Sequence, residues 1–334
     1  MINSSESMVF IMKCKIIKKL ICSKNLYTLG LLLFIVLFFS IFSQGFLGKM
    51  NFLNIFREVV FVATVGTAAT FLLVAGYIDL SLGSLLALSG ILYAYMCKAG
   101  VPFFIALVAI MVFGSIVGLI NGLIVSILKI PAVIATLAML YLLRGLVFII
   151  SGISPIRPST DWFSFLGRGK IGPLPFQLFI ILIVLIVFLI LEKKSLLYKY
   201  AVAIGGNQIA AVLSGINVNR IIYILYLVTG SLTGLAGAIM ASKLSVGEQL
   251  VGNGFEFDII VAMLIGGTNF SGGEGSVLGT VYGAFIISIL GIGFNMMSVP
   301  SFYQYVVKGI LFVLAVAFNG FMSKRISRYQ MVYE

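Results

Sequence analysis

Long apolar stretches separated by short polar segments run through almost the whole chain. A helix that crosses a membrane needs about 20 mostly apolar residues. On that length the pattern predicts about ten spans, at 26–46, 55–76, 82–97, 102–127, 131–151, 174–192, 220–242, 256–270, 276–296 and 302–321. The third and eighth spans are short and polar at one end, so they are candidates for broken or re-entrant helices that line protein or a water-filled cavity.

The distribution of lysine and arginine predicts how the spans are oriented. Basic residues are concentrated in an N-terminal tail, 1–25, in the loop 193–219 and in a C-terminal tail, 322–334. Cytosolic segments carry an excess of such residues, so both termini and this loop are expected in the cytosol, with one transmembrane domain, 26–321, between the tails. The first apolar run is not followed by a small-residue cleavage site, which predicts a retained span rather than a signal peptide.

An internal repeat relates the two halves of the chain. Segment 114–118 resembles 279–283, and 144–150 resembles 308–314. The fourth and fifth spans therefore match the ninth and tenth, which run in the opposite direction and so give two inverted repeats, as in many transporters. Segment 81–84 is paired on the same grounds with 271–276, because each opens an apolar helix with serine and glycine. Shared apolar composition is the alternative explanation of the whole match.

Composition excludes several functional classes. Of the 334 residues 61% are hydrophobic and 10% are charged, which is typical of an integral membrane protein. The net charge of +12 arises from basic residues beside apolar spans, so it indicates lipid contact and topology rather than nucleic acid. Histidine is absent, the cysteines Cys14, Cys22 and Cys97 are scattered, and no ATP-binding loop occurs. We therefore predict no catalytic residues, no metal site, no disulfide framework and no directly bound cofactor.

Polar residues within the apolar spans are candidates for a translocation path. Amide and hydroxyl groups supply hydrogen bonds that a polar solute needs. The predicted path residues are Asp79, Ser81, Asn121, Thr136, Asn295 and Gln304. For Asp79 a cap on the third span is an equal alternative. Arg144 and Lys308, at equivalent repeat positions, are predicted to be structural charges that pair or snorkel, with Asp79, Glu256, Asp258 and Glu274 as candidate partners.

The loop 193–219 contains a second candidate site. Gly205, Gly206 and Asn207 are expected to end one segment and cap a short helix over 208–214, which Gly215 closes. Its alanines leave backbone accessible to a partner surface. The alternative is an amphipathic helix that lies on the membrane.

Four motifs in order carry a resemblance to a known family. GYIDLSLGS, KIPAVIATLAMLYLLRG, AIGGNQIAAVLSGIN and MLIGGTNFSGGEGSVLGT together resemble the ribose-type membrane permease of bacterial ABC importers, over about 54–320. The resemblance implies a cytosolic ATPase that uses the ATP, an extracytoplasmic sugar-binding protein, and a second permease copy or paralogue. It also implies that the loop helix couples to the ATPase, through Gly205, Gly206, Asn207, Ala210, Ala211 and Gly215. The chain departs from the family pattern at Tyr77, where glycine is usual, and at Ile209, where related importers have an acidic residue.

The predicted protein is therefore an all-helical permease in the bacterial cytoplasmic membrane. It is expected to translocate a sugar or sugar-like solute, with nucleosides, a sugar-like autoinducer and branched-chain amino acids as alternatives within the same family. An ion-coupled secondary transporter is a rival, because inverted repeats occur there too. A pore or receptor-like structural protein is a second rival.

Overall fold

The computed structural model describes residues 24–333 except 153, 159 and 160. Within them the chain forms thirteen α-helices. Their bounds are α1 Lys24–Phe42, α2 Lys49–Val74, α3 Leu82–Lys98, α4 Phe103–Ser126, α5 Ala132–Ser151, α6 Phe165–Arg168, α7 Phe176–Lys194, α8 Leu196–Gly206, α9 Gln208–Leu213, α10 Val218–Leu244, α11 Phe255–Ile265, α12 Val277–Met296 and α13 Ser301–Tyr333. The predicted tail 1–25 lies almost wholly outside the described residues.

A small structured segment separates α5 from α7. It contains a 3₁₀-helix, Asp161–Ser164, then α6, then an antiparallel hairpin of β1, Lys170–Ile171, and β2, Leu174–Pro175. The sequence predicted only a loop there.

Helices occur at all of the predicted spans, and the all-helical fold class is confirmed. Among the described helices six are long and apolar enough to cross a membrane by themselves: α2, α4, α5, α7, α10 and α12. Shorter apolar helices cover Tyr27–Phe42, Leu82–Lys98 and Ser301–Ala317. Helix α11 has only 11 residues, about 16 Å of helix against about 30 Å of hydrocarbon. Length alone therefore establishes a multi-pass protein but not a count of ten crossings.

The helix contacts follow the symmetry of two repeats. Helices α2 and α10 pack against each other at the centre. Helix α2 also packs on α11 and α12, and α10 packs in the same way on α3 and α4. The α3–α5 contact is matched by the α11–α13 contact. Each of these contacts thus has a counterpart in the other half, which is the arrangement that an internal repeat predicts.

Two ends of the bundle show that the repeats are inverted. The Lys49 end is where α2 begins, and the Gly205 end is where α2 finishes, beside Gly205. Helix α4 begins at the Lys49 end, where Phe103 packs on Trp162. Its counterpart α12 begins at the Gly205 end, where the Val277 N–H donates to Glu192 Oε1 (3.3 Å). Matching helices therefore run in opposite directions.

The counterparts α3 and α11 begin next to each other inside the bundle. A Cβ built on Gly83, near the start of α3, would lie 2.1 Å from the Gly252 carbonyl oxygen. From this contact the two helices run to opposite ends of the molecule. The pairing of 81–84 with 271–276 is thus wrong, because Ser276 caps α12 rather than the counterpart of α3. A serine beside glycine is a general helix-start signal and does not identify which helix it starts.

A non-helical segment, 245–254, leads into α11. It descends from the end of α10 along α3, since Gly247 packs against Ala94 and Gly252 against Gly83. The Arg144 guanidinium on α5 donates from Nη1 to the carbonyls of Gln249 and Val251, both at 3.1 Å. Non-helical backbone is tolerated at this depth because protein surrounds it and satisfies its carbonyls.

Candidate transport path and partner surface

A buried polar network lies where α3 begins. The Ser81 N–H and Oγ both donate to Asp79 Oδ1, at 2.8 and 2.6 Å. Asn121 on α4 donates from Nδ2 to Ser81 Oγ (3.0 Å) and to Asp79 Oδ2 (3.3 Å). No side chain of the three is more than 4% exposed. Three of the six predicted path residues therefore meet in one network.

This network differs from the expected helix cap. Ser81 is the N-cap residue of α3, but its side chain makes no capping bond and donates to Asp79 instead. The carboxylate receives the donors of Ser81 and Asn121, which compensates for part of the cost of burying it. Asn121 Oδ1 is buried with no hydrogen-bond partner within the described part of the chain.

The other three predicted path residues lie apart from this network. Gln304 on α13 donates from Nε2 to Asn295 Oδ1 on α12 (2.8 Å), at the Lys49 end. The Thr136 hydroxyl donates to the Ala132 carbonyl within its own helix (2.8 Å). A serine or threonine with this bond has its hydroxyl satisfied locally.

A polar cavity of about 580 Å³ opens at the Lys49 end. It continues into a deeper cavity of about 280 Å³, with Glu58, Ile292 and Asn295 lining both. We name the two together the outer cavity. Its upper part is lined by Asn51, Asn54, Arg57, Glu58, Gly167, Arg168, Lys243, Ile292, Asn295 and Met296. Its floor includes Gly252, which is in contact with the start of α3.

Two ion pairs stand on the wall of the outer cavity. Lys243 at the end of α10 pairs with Glu58 on α2, and its ammonium lies 5.2 Å from the centre of the Phe61 ring. Lys308 on α13 pairs with Asp258 on α11 at 2.8 Å. Asp258 was among the candidate partners of Lys308, whereas Glu58 was not singled out from the sequence. Its signal was a lone carboxylate within an apolar helix.

The segment that contains α8 and α9 presents an apolar surface at the Gly205 end. The Asn207 side chain caps α9 by accepting the Ala210 N–H (3.0 Å), and Gly215 follows the helix with φ of +81°. Ile209 is 74% exposed and Leu213 is 83% exposed. We name Ile209, Val212 and Leu213 the docking face. Ala210 is also exposed, but Ala211 is buried and cannot contact a partner directly.

Glycines bring the backbone of α8 against two other segments. A Cβ on Gly205 would lie 1.9 Å from the Val74 carbonyl oxygen and 2.5 Å from the Gly273 nitrogen. The Gly273 N–H donates to that same Val74 carbonyl (2.8 Å). We name Val74, Gly205 and Gly273 the glycine junction. In contrast, a Cβ on Gly206 would meet nothing within 4 Å.

A tyrosine strengthens the glycine junction. The Tyr198 hydroxyl on α8 donates to the Gly275 carbonyl (2.8 Å). Burial, with smaller contributions from Glu192 and Glu274, raises the pKa of Tyr198 to about 12. The phenol therefore stays protonated, and so remains a donor, throughout the physiological pH range.

Comparisons with known proteins identify the family. The family model described as branched-chain amino acid transport system / permease component matches residues 51–316. The chain belongs to this permease family. The ribose import permease protein of Haemophilus influenzae is 35% identical over 298 residues, 88% of this chain and 92% of that protein. The ribose import permease protein of Bacillus subtilis is 38% identical over 290 residues, 86% and 90% of the two chains.

A further relative transports a different sugar. The D-allose transport system permease protein of Escherichia coli is 34% identical over 296 residues, 88% of this chain and 90% of that protein. No solved structure matches the chain. The resemblance to ABC sugar permeases is therefore confirmed, and the chain is a multi-pass membrane permease.

Proposed function

We propose that this chain is the membrane subunit of an ATP-driven importer in the bacterial cytoplasmic membrane, and that it translocates a sugar delivered by an extracytoplasmic binding protein. A cytosolic ATPase supplies the ATP chemistry, and a second permease copy or a paralogue completes the membrane part. The docking face is the observation that supports this proposal best. Three exposed apolar side chains on one short capped helix are typical of a surface that a protein partner covers.

The glycine junction connects the docking face mechanically to the helix bundle. A partner that moves α9 also moves α8, because only Asn207 separates the two helices. Gly205 on α8 touches the end of α2 and the segment before α12 without any intervening side chain. We propose that Gly205, Gly206, Asn207, Ala210, Ala211 and Gly215 form the coupling segment, with Ala211 as its packing residue rather than a contact.

The solute class is proposed from the relatives. Proteins named for ribose and D-allose import align over most of this chain. The name of the family model mentions branched-chain amino acids, so these remain the principal alternative. Nucleosides and a sugar-like autoinducer are further alternatives.

The first experiment asks what drives transport. Cells that express the permease with its native partners take up labelled D-ribose, D-allose or L-arabinose in parallel assays. We expect uptake to survive a protonophore and to fail when ATP is depleted. The opposite pattern would establish the ion-coupled carrier, and flux that depends on neither would establish a pore.

A second measurement identifies the partners. The tagged permease is purified from its native membranes in mild detergent with a non-hydrolysable ATP analogue, and the co-purifying proteins are determined by mass spectrometry. We expect a protein with its own ATP-binding loop, together with a second permease chain or a self-associated permease. Recovery of the permease alone, active in vesicles without ATP, would refute the importer.

A further inference from the structure

The outer cavity has the size of a small-molecule site. Its upper part, about 580 Å³, falls within the range of about 300–1,000 Å³ that is usual for ligand pockets. It is formed within one chain, mainly by α2 and α12, with α6 and the end of α10 contributing the rest of the wall. The deeper part adds residues of α11 and α13, including Asp258 and Lys308.

The ion pairs indicate that the outer cavity holds water. Charged groups within a transmembrane bundle are costly unless they face a cavity or a partner. Here they do both: the side chains of Glu58 and Lys243 are 40% and 25% exposed, and those of Asp258 and Lys308 are 19% and 39% exposed. Glu58 lines both parts of the outer cavity, so its exposed carboxylate faces the cavity.

The carboxylates retain acceptor capacity for a ligand. In each ion pair the lysine ammonium contacts one carboxylate oxygen, which is Glu58 Oε1 or Asp258 Oδ2. An ionised carboxylate has two oxygens and about four acceptor positions. Asn253 and Asn295 add amide groups on the same wall, and Phe61, Leu86 and Met240 add an apolar surface. The hydroxyl groups of a sugar need acceptors such as carboxylate oxygens, and the C–H face of its ring needs an apolar surface. The outer cavity supplies both.

The pairing of the charges favours a neutral solute. The two carboxylates of the deeper part and the two ammonium groups that pair with them have a summed charge of zero, whereas the guanidinium groups of Arg57 and Arg168 lie in the upper part. A polyol forms hydrogen bonds to the unused carboxylate oxygens and leaves both ion pairs intact. An amino-acid zwitterion instead competes with each pair for its charged partner, and breaking a buried pair leaves an uncompensated charge.

We propose that the outer cavity of each permease chain is a transient binding site for a neutral monosaccharide, with Glu58 and Asp258 as its hydrogen-bond acceptors. This proposal rests on the proposed function and adds the location and the chemical selectivity of the solute site. It places recognition within one chain and at residues that the sequence-based set of path residues did not contain, apart from Asn295.

The test is ligand protection of a cysteine at the passage between the two parts of the cavity. Ile292 lines both parts and takes no part in the proposed hydrogen bonds. Ile292→Cys is introduced into a permease in which Cys14, Cys22 and Cys97 are replaced by alanine. The purified protein is reconstituted in lipid nanodiscs and labelled with a bulky maleimide. Lys170→Cys, on the exposed hairpin, is the matched control.

We expect D-ribose, D-allose or L-arabinose to slow labelling at position 292 and to leave position 170 unchanged. Glu58→Gln and Asp258→Asn should each abolish this protection, while labelling without sugar and monodisperse elution remain as in the parent. Two variants on different helices guard against the failure of one to fold.

Three results would overturn the proposal. They are absence of protection at the highest soluble sugar concentrations, full protection in both acceptor variants, and equal protection by L-leucine. The assay contains neither ATP nor partners, so its failure removes this site while ATP-driven uptake stands. Protection without ATP-dependent uptake would instead retain the site and refute the importer.

Discussion

At the residue scale, Asp79 poses the question of whether a buried carboxylate serves the fold or the solute. Its oxygens accept from Ser81 and Asn121, and it is only 4% exposed. A group enclosed in this way lies outside the outer cavity, whose lining does not include it. The geometry therefore favours a structural role, in which Asp79 fixes the start of α3.

Asp79→Asn and Asp79→Leu separate the two roles. Asparagine keeps an Oδ1 acceptor for the N–H and the hydroxyl of Ser81, so these two buried donors retain their partner. Leucine leaves buried donors without an acceptor, at about 1–3 kcal/mol each. We expect Asp79→Asn to retain uptake and its melting temperature in detergent, and Asp79→Leu to lower that temperature. Loss of uptake in Asp79→Asn at an unchanged melting temperature would move Asp79 into the path.

Residue types along the chain predicted part of this site. Asn121, Asp79 and Ser81 were identified because polar groups in apolar spans are rare and need partners. Their grouping was not predictable, because it depends on α4 packing beside the start of α3. Glu58 and Lys243 were missed as a pair for the same reason: 185 positions separate them along the chain, and no local pattern links them.

At the element scale, the glycine junction is the contact that connects the docking face to the bundle. Gly205→Ala would place a methyl group against the Val74 carbonyl, so α8 must shift. Overpacking of this kind costs about 1–3 kcal/mol. Gly206→Ala makes the same chemical change into open space, so it is the matched control.

We expect Gly205→Ala to reduce the amount of sugar transported per ATP hydrolysed in the reconstituted complex, with Gly206→Ala close to the parent. The ratio is the decisive measurement, because a purely structural defect lowers transport and hydrolysis together. Equal ratios for the two variants would exclude the glycine junction from coupling.

The docking face yields a second prediction at this scale. Leu213→Asp places a charge where an apolar partner surface is proposed, so we expect the ATPase to be lost on co-purification and uptake to fail. Ile171→Asp makes the same change at a residue that is 48% exposed at the opposite end, and it should leave both unchanged. Retention of the ATPase by Leu213→Asp would show that α9 is not the docking element.

Helix positions were predictable because the length of an apolar run reports what a bilayer tolerates. The capped helix α9 was also predicted, from Asn207 and Gly215. Helix α8 and the β1–β2 hairpin were not, since neither has a long apolar run. The segment 245–254 was missed because hydropathy does not show where a chain enters the bundle without forming a helix. Its position depends on distant residues, among them Gly83, Ala94 and Arg144.

At the scale of the whole molecule, the inverted repeat places both ends of the described chain on one side. Helix α1 begins at the Gly205 end, where the Thr28 hydroxyl donates to the Ile265 carbonyl (2.8 Å). Helix α13 begins at the Lys49 end, beside Asn295, and runs towards the Gly205 end. The described chain, which the basic sequence 1–25 precedes, therefore starts at the Gly205 end, and α13, which leads into the basic segment 322–334, runs towards the same end as the docking face.

This arrangement turns charge into a prediction of orientation. The loops at the Lys49 end are not themselves poor in basic residues, but Lys243 is paired with Glu58 and so is not a free loop charge. When the sequences of the two tails are included, the Gly205 side has more lysine and arginine residues than the Lys49 side. Cytosolic segments carry the excess of positive charge. We therefore predict that the Gly205 end faces the cytosol and that the outer cavity opens outside.

Two cysteines test this orientation in the background without native cysteines. Lys170→Cys lies on the exposed hairpin at the Lys49 end, and Leu213→Cys lies on the docking face. In intact spheroplasts a membrane-impermeant maleimide should label position 170 and not position 213, and inverted vesicles should reverse the result. The opposite pattern would put the docking face outside, away from any ATP, and would refute the importer together with the orientation. The expected pattern would place the opening of the outer cavity on the side of the membrane from which a binding protein delivers its sugar.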